Sequence, residues 1–272
     1  MADDTHQHQT RTTGLITGAS SGIGRALAKV LARYGHDLVL VARDGQRLEQ
    51  LASELQQSSG IAAKAIPADL SVKTSSQDII AELQRQGIKI SLLVNNAGFD
   101  VYGEFFETDL TEELQMIQVN LVSLTQLTKL VLPGMRQQGY GRILNLGSTG
   151  SFIPSPLNAV YSATKAYVLS FSEAISEELQ GSGITVTALC PGATESEFHQ
   201  RASMEDIRLR RFGAMQAATV AEIGYRAMMA GRRVVVPGLH NQAQVLLARV
   251  LPRSVMPRMA KLMLQSPRRE AS

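Results

Sequence analysis

The chain has 272 residues, of which 44% are hydrophobic and 19% charged, and its formal net charge is +3. That is room for one sizeable core with an ordinary soluble composition. The small positive excess, with no Trp and few aromatics, excludes a basic nucleic-acid binder or a base-stacking platform, so no nucleic-acid partner is expected. The single cysteine, Cys190, excludes an intramolecular disulfide, and no Cys/His cluster suggests a metal.

The first residues, MADDTHQHQT, are polar and acidic and lack the apolar core of a signal peptide, so residues 1–10 are expected to be a flexible tail. His6 and His8 belong to that tail. No stretch reaches the roughly 18 apolar residues of a membrane span, and the expected location is cytoplasmic.

TTGLIT (12–17) predicts a strand and Gly22 to Tyr34 a helix. HDLVLVA (36–42) predicts the second strand, with a helix through Leu55. IAAKAIPA (61–68) is a third strand, 75–86 a helix, and ISLLVNN (90–96) a fourth strand. Asp109, with Glu112 three residues on, resembles a capping box opening a long helix that runs to about Leu132 and stops near Pro133 and Gly134. RILNLGS (142–148), ITVTALC (184–190) and RRVVVPG (232–238) continue the strands. Cys190 reads as a packed strand residue. The inner runs are apolar on both alternations, as strands covered on both faces must be. Alternating strands and helices of this length predict an α/β fold with a doubly wound parallel sheet in a single domain over 11–240, followed by a basic amphipathic helical extension over 241–272.

TGASSGIG (17–24) follows the first strand and opens a helix. Gly18 permits a tight turn, Gly22 lets a pyrophosphate approach the backbone, and Gly24 lets helix and strand pack closely. Ser20, Ser21 and Ile23 share this turn, where the helix N-terminus supplies free N–H groups and a positive dipole end. The second strand ends in VLVARDGQRL. Ala42 stands where NAD-selective sites place an acid, and Arg43 follows, suited to a 2′-phosphate. NADP(H) is therefore favoured over NAD(H), against the reading of Arg43 as a solvated loop charge; Asp44 is expected to cap the next helix. Asp69 and Leu70 end the third strand, Asp69 either accepting from an adenine amino group or capping the following helix. NNAG (95–98) ends the fourth strand; Asn95 and Asn96 are expected to bond neighbouring backbones, and Ala97 and Gly98 leave room for a ribose.

In YSATK (161–165), Tyr161 precedes Lys165 by about one helical turn, so phenol and ammonium share a helix face. Reducing a ketone needs a hydride at carbon and a proton at oxygen. A phenol with a free pKa near ~10 is a poor base at neutral pH, and a nearby ammonium lowers that value. Tyr161 then serves as general acid for reduction and base for oxidation. Ser148, at the end of the fifth strand, can donate to the substrate oxygen. Asn120 is an unfavourable residue inside a helix unless it has a task.

Taken in order, TGASSGIG, NNAG, Asn120, Ser148, YSATK and the Pro191-Gly192 pair resemble the short-chain dehydrogenase/reductase family, classical type, over roughly residues 11–240. The resemblance implies a Rossmann fold, hydride transfer between NAD(P) and a carbonyl or alcohol, and a tetrad of Asn120, Ser148, Tyr161 and Lys165. It implies that Lys165 also bonds the nicotinamide ribose and that Asn120 holds a water in a proton relay behind Lys165. Pro191, Gly192 and Thr194 are implied as cofactor contacts after the sixth strand. A homodimer or homotetramer assembled through the helices around 111–135 and 157–180 is implied as well.

The substrate lid, by resemblance about 193–219, mixes Phe198, Met204, Ile207, Leu209, Phe212 and Met215 with Arg201, Arg208, Arg210 and Arg211. These suit an apolar small-molecule carbonyl or alcohol substrate, with the arginines either on an anionic group or in solvent. Phe99, Tyr102, Ile153, Pro154 and Leu157 are further pocket candidates. In the extension, Val255, Met259, Leu262 and Met263 form an apolar stripe with Arg258 and Lys261 among them and Arg249, Arg253, Arg268 and Arg269 nearby. It either packs within an oligomer, covers the pocket, contacts an anionic membrane surface weakly, or is disordered. Two function classes stand: a carbonyl reductase or alcohol dehydrogenase, with 3-oxoacyl (fatty acyl or steroid-like) reduction as a variant, and a non-catalytic NADP(H)-binding redox sensor.

Overall fold

The computed structural model describes residues 11–195, 214–252 and 254–264. Its first half alternates β1 (Thr13–Thr17), α1 (Gly22–Arg33), β2 (Asp37–Ala42), α2 (Gly45–Ser59), β3 (Ala63–Pro67), α3 (Ser75–Arg85) and β4 (Ile90–Asn95). There follow α4 (Leu110–Ile117), one π-helical turn (Gln118–Ser123), α5 (Leu124–Gln138), β5 (Gly141–Leu146), a short 3-10 turn (Thr149–Phe152), α6 (Ala159–Glu178) and β6 (Ile184–Leu189). The remainder comprises β7 (Thr194–Glu195), β8 (Met215–Gln216), α7 (Ala217–Met229), β9 (Val234–Val235), α8 (Leu239–Val250) and α9 (Met256–Leu264).

Seven parallel strands form one sheet in the order β3-β2-β1-β4-β5-β6-β9. Leu15 and Ile16 show why it is covered on both sides. Both are fully buried, and being adjacent on a strand they enter opposite clusters. Ile16, Leu38, Leu40 and Leu92 pack with Leu27, Leu48 and Val220 of α1, α2 and α7. Leu15, Val39, Val41 and Leu93 pack with Ile79, Leu127 and Val131 of α3 and α5. The doubly wound α/β sheet expected from the sequence is thus present, as a Rossmann-type fold.

Three local expectations change. The long helix does not stop at Pro133: α5 runs on to Gln138 and ends at Gly139 in the left-handed region, φ 63. Pro133 is on the solvent face, where the carbonyl it leaves unbonded is open to water, while Val131 and Met135 on the buried face keep the helix docked. The same helix is interrupted by the π-helical turn, which buries Asn120 and Ser123. The last strand shrinks from 232–238 to Val234–Val235, since it is a sheet edge and Pro237 has no N–H to continue the ladder.

The extension forms helices, but the inward face of α9 is Met256, Ala260 and Leu264, while Val255 and Leu262 point to solvent. Met259 and Met263, half-buried, turn toward the sheet's carboxyl edge. Tyr102 Oη donates to the Leu264 carbonyl at 2.7 Å, and Lys261 pairs with Glu104 at 3.2 Å, so this helix covers the loop after β4. No helix among the described residues is long and apolar enough to cross a membrane. The tail histidines, the lid residues from Phe198 to Phe212 with their arginines, and Arg253, Arg268 and Arg269 lie outside the described residues.

Candidate active site

The loops after β1 to β6 line one cavity of about 880 Å³ at the carboxyl edge of the sheet, where strand order reverses between β1 and β4. At one end is the glycine turn. Gly18 has φ 66, which a side chain would strain. A Cβ on Gly24 would lie 2.2 Å from the Gly18 carbonyl oxygen, so only glycine lets α1 pack this closely on the turn. Ser21 is the N-cap of α1, and its side chain makes no cap hydrogen bond. Ser20, Ser21, Gly22 and Ile23 face the cavity.

Asn96 stitches this turn to the β4 loop. Its Nδ2 donates to the carbonyls of Thr17 (2.9 Å) and Gly18 (3.2 Å), and Thr17 Oγ1 accepts from the N–H groups of Asn96 (3.1 Å) and Ala97 (3.0 Å). Asn95 differs from expectation: its side chain donates to side chains, Thr128 Oγ1 (3.0 Å) and Asn145 Oδ1 (2.9 Å), because it points into the sheet interior. Ala42 is buried at the end of β2, and Arg43 lies exposed at the cavity rim. Asp44 caps α2 by accepting from Arg47 N–H at 3.0 Å. Asp69 caps its own turn rather than α3, accepting from Ser71 N–H at 2.9 Å, and the cap of α3 is Thr74. Asp69 and Leu70 both line the cavity.

Tyr161 and Lys165, on the first turns of α6, meet Ser148 at the other end. Ser148 lies beyond the end of β5, as the N-cap of the 3-10 turn, with Oγ accepting from Gly150 N–H at 3.0 Å. Lys165 Nζ lies 5.6 Å from the Tyr161 ring centroid and donates to the Leu146 carbonyl at 2.8 Å. Burial lowers the Lys165 pKa to about 8, against the Asp100 carboxylate. The Tyr161 phenol is pushed up, first by burial and then by the Asp100 carboxylate, against a Ser148 hydrogen bond. This reverses the lowering expected from the lysine: desolvation of the phenol dominates. Cys190 is fully buried, its thiol pushed up to about 12 by burial, and reads as a packing residue.

Of the predicted catalytic and cofactor-binding residues, Asn120 and Gly24 do not line the cavity. Asn120 stands behind it, clamping the backbone of Phe99: Oδ1 accepts from Phe99 N–H (3.1 Å) and Nδ2 donates to Phe99 O (3.0 Å) and Thr164 Oγ1 (3.2 Å). A Cβ on Gly98 would sit 3.0 Å from Asn120 Oδ1 and 3.6 Å from Lys165 Nζ, which places that carbonyl oxygen and the ammonium around one glycine. Pro191, Gly192 and Thr194 line the cavity after β6, with Thr194 Oγ1 donating to Gly192 O at 3.1 Å.

The wall beyond Tyr161 is apolar. Phe99 and Ile153 line it as expected, whereas Tyr102, Pro154 and Leu157 do not; Tyr102 instead holds α9. Met256, Met259 and Met263 of α9 and Leu247 of α8 complete it. Sequence reading missed Asp100, which is 8% exposed, faces this cavity, and accepts from Asn158 Nδ2 at 2.6 Å. A lone acid in a loop carries no spacing signal. Among the described residues, no group of three or more His, Cys, Asp or Glu is placed to hold a metal ion.

Known proteins resemble this chain in sequence and fold. Residues 12–206 match the short chain dehydrogenase family. A very-long-chain 3-oxoacyl-CoA reductase of Anas platyrhynchos is 38% identical over 181 residues, 65% of this chain and 58% of that protein, so the chain spans under two-thirds of this relative's length. A short-chain dehydrogenase from Sphingobium yanoikuyae, solved in complex with NADPH, is 36% identical with a TM-score of 0.78, covering 89% of this chain and 96% of that one. The bulky-bulky ketone specific alcohol dehydrogenase from Comamonas testosteroni is 31% identical with a TM-score of 0.74, covering 89% and 96%. With the family matched over most of its sheet and its fold shared nearly end to end, the chain belongs to the short-chain dehydrogenase/reductase family, whose members are oxidoreductases of the CH–OH/C=O couple.

Proposed function

We propose that the protein is an NADP(H)-dependent oxidoreductase that reduces an apolar carbonyl compound to the alcohol, or runs the reverse, with Tyr161 as proton donor and acceptor. The observation that carries this reading is that the glycine turn, Arg43 and the Tyr161–Lys165 pair line one continuous cavity. The residues present fit a dinucleotide: the cradle at Gly18 and Gly24 admits no Cβ, and the N-terminus of α1 is left uncapped by side chains. Gly18, Ser20, Ser21, Gly22 and Ile23 would hold the pyrophosphate, Arg43 the 2′-phosphate, Asp69 and Leu70 the adenine, and Asn96, Ala97 and Gly98 the ribose. Pro191, Gly192 and Thr194 would border the nicotinamide. Bound there, the dinucleotide would supply the hydride.

The chain's own groups supply the rest. Ser148 and Tyr161 converge on the substrate oxygen, Ser148 donating a hydrogen bond and Tyr161 the proton. Lys165 holds the positive charge that stabilises the phenolate left behind. Asn120 keeps Phe99 and Gly98 in place behind Lys165 and fits the implied water relay there. The methionine-lined wall of α8 and α9 suits a bulky, flexible apolar substrate.

Reduction of a 3-oxoacyl group is the second reading, favoured by the similarity to the very-long-chain 3-oxoacyl-CoA reductase and by the apolar wall of the cavity. A redox sensor without turnover is disfavoured by the presence of both Tyr161 and Lys165 in the cavity. Exposed Leu110, Leu114, Val122 and Tyr167 on α4 to α6 support assembly into a homodimer or homotetramer through those helices. A cytoplasmic location goes with this reading.

The test is titration with NADPH and NADH by nicotinamide fluorescence, for the parent protein and Arg43→Ala. Tighter binding of NADPH, lost in the variant while NADH binding persists, is the expected result. Equal binding of both, unaffected by Arg43→Ala, would overturn the NADP(H) assignment.

A further inference from the structure

The loop after β4 is tied to the start of α6 by two hydrogen bonds. Gly103 N–H donates to the Leu157 carbonyl at 2.9 Å, and Asn158 Nδ2 donates to Asp100 Oδ2 at 2.6 Å. Between these ties Leu157 adopts φ 69, the positive-φ conformation that a leucine avoids. Such strain persists only where the surroundings over-determine it. Asn158 is the N-cap residue of the helix that carries Tyr161 and Lys165. The other oxygen of Asp100, Oδ1, is buried, and no side chain among the described residues donates to it. That costs stability unless the carboxylate has a use.

We propose that Asp100 is a positioning residue for the proton donor: through Asn158 it fixes the strained start of α6, and its charge sets how readily the Tyr161 phenol releases its proton. The inference rests on the assignment of proton transfer to Tyr161. The groups that face Asp100 are Glu113 from α4 and Tyr161 and Lys165 from α6. Cys190, after β6, acts on Tyr161 and Lys165 rather than on Asp100. Burial, joined by the charge of Glu113, raises the Asp100 pKa to about 7, against the hydrogen bonds from Asn158 and the Val101 N–H. An ionised Asp100 disfavours the phenolate, and a neutral one does not.

Asp100→Asn keeps an acceptor for Asn158 and removes the charge, Asp100→Ala removes both, and Asn158→Ala removes the tie and keeps the charge. The measurement is kcat against pH for alcohol oxidation, with NADPH affinity and melting temperature as controls. In Asp100→Asn the alkaline rise, which reports phenol ionisation, is expected about one pH unit lower, with the plateau kept within about twofold. Asp100→Ala and Asn158→Ala are expected to lower the plateau about tenfold, because both release α6, with Asn158→Ala leaving the phenol's inflection where Asp100→Asn does not. An Asp100→Asn profile superimposed on the parent's, or full plateau activity in Asp100→Ala, would overturn the inference while leaving a dead Tyr161→Phe and its proton-transfer assignment intact. A fully active Tyr161→Phe would overturn both.

Discussion

Lys165 holds its Nζ 5.6 Å from the centroid of the Tyr161 ring while 4% exposed and bonded to the Leu146 carbonyl. The pair is therefore a desolvated one, and the sign of its cost follows. The Lys165 pKa falls from 10.5 to about 8 on folding. Between those values the unfolded chain binds more protons, so this group's contribution to stability rises with pH, and below about 8 the folded protein carries a buried ammonium at a penalty. Lys165→Met is expected to gain about 1–3 kcal/mol at pH 7 while losing turnover. Thermal unfolding at pH 7 checks this; a lower melting temperature would contradict it.

Gly24 meets the Gly18 carbonyl and Asn96 Nδ2 so closely that a Cβ would lie 2.2 and 2.4 Å from them. Gly24→Ala must push α1 away from the turn. A loss of about 1–3 kcal/mol is expected, with NADPH affinity falling at least about tenfold. Denaturant unfolding and a binding titration measure the two together.

Asn120 satisfies both polar groups of the Phe99 backbone from a π-helical turn. Asn120→Ala would leave them unpaired in a site where the asparagine is 1% exposed, at about 1–3 kcal/mol. Because Phe99 and Gly98 back onto Lys165, kcat is expected to fall more than NADPH affinity does. A variant that lost affinity alone would show that Asn120 serves only the cofactor.

The α9 wall makes a separate prediction. Met259→Ala and Met263→Ala shorten apolar side chains that face the cavity, and Tyr102→Phe removes the bond to Leu264. For bulky apolar ketones kcat/KM is expected to fall about tenfold in the methionine variants, and for small ketones to change little. Steady-state assays on a ketone series of graded size decide it; equal losses across the series would place α9 outside substrate selection.

How far the sequence carried this varies by residue, for physical reasons. The strands were legible because Leu15, Ile16 and their neighbours are apolar on both alternations, and the glycine turn because Gly18 and Gly24 stand where no side chain fits. Tyr161 and Lys165 were legible because helical spacing is a local property. The π-helical turn at Asn120 was not, since slipping one hydrogen bond leaves the residue pattern nearly unchanged. Nor was Asp100, whose hydrogen-bond partner Asn158 lies far along the chain. In α9 the spacing showed an apolar stripe, but Met256 rather than Val255 turned inward because the loop at Tyr102 and Glu104 fixes the helix's rotation.

The most direct measurement is turnover itself: NADPH consumption, followed by nicotinamide absorbance, with a bulky aryl ketone, for the parent protein, Tyr161→Phe and Lys165→Met. Ketone-dependent oxidation of NADPH by the parent protein is expected, reduced at least about a thousandfold in Tyr161→Phe although that variant still binds NADPH. Unchanged turnover in Tyr161→Phe, or NADPH bound and never consumed with any carbonyl in a graded series, would contradict it.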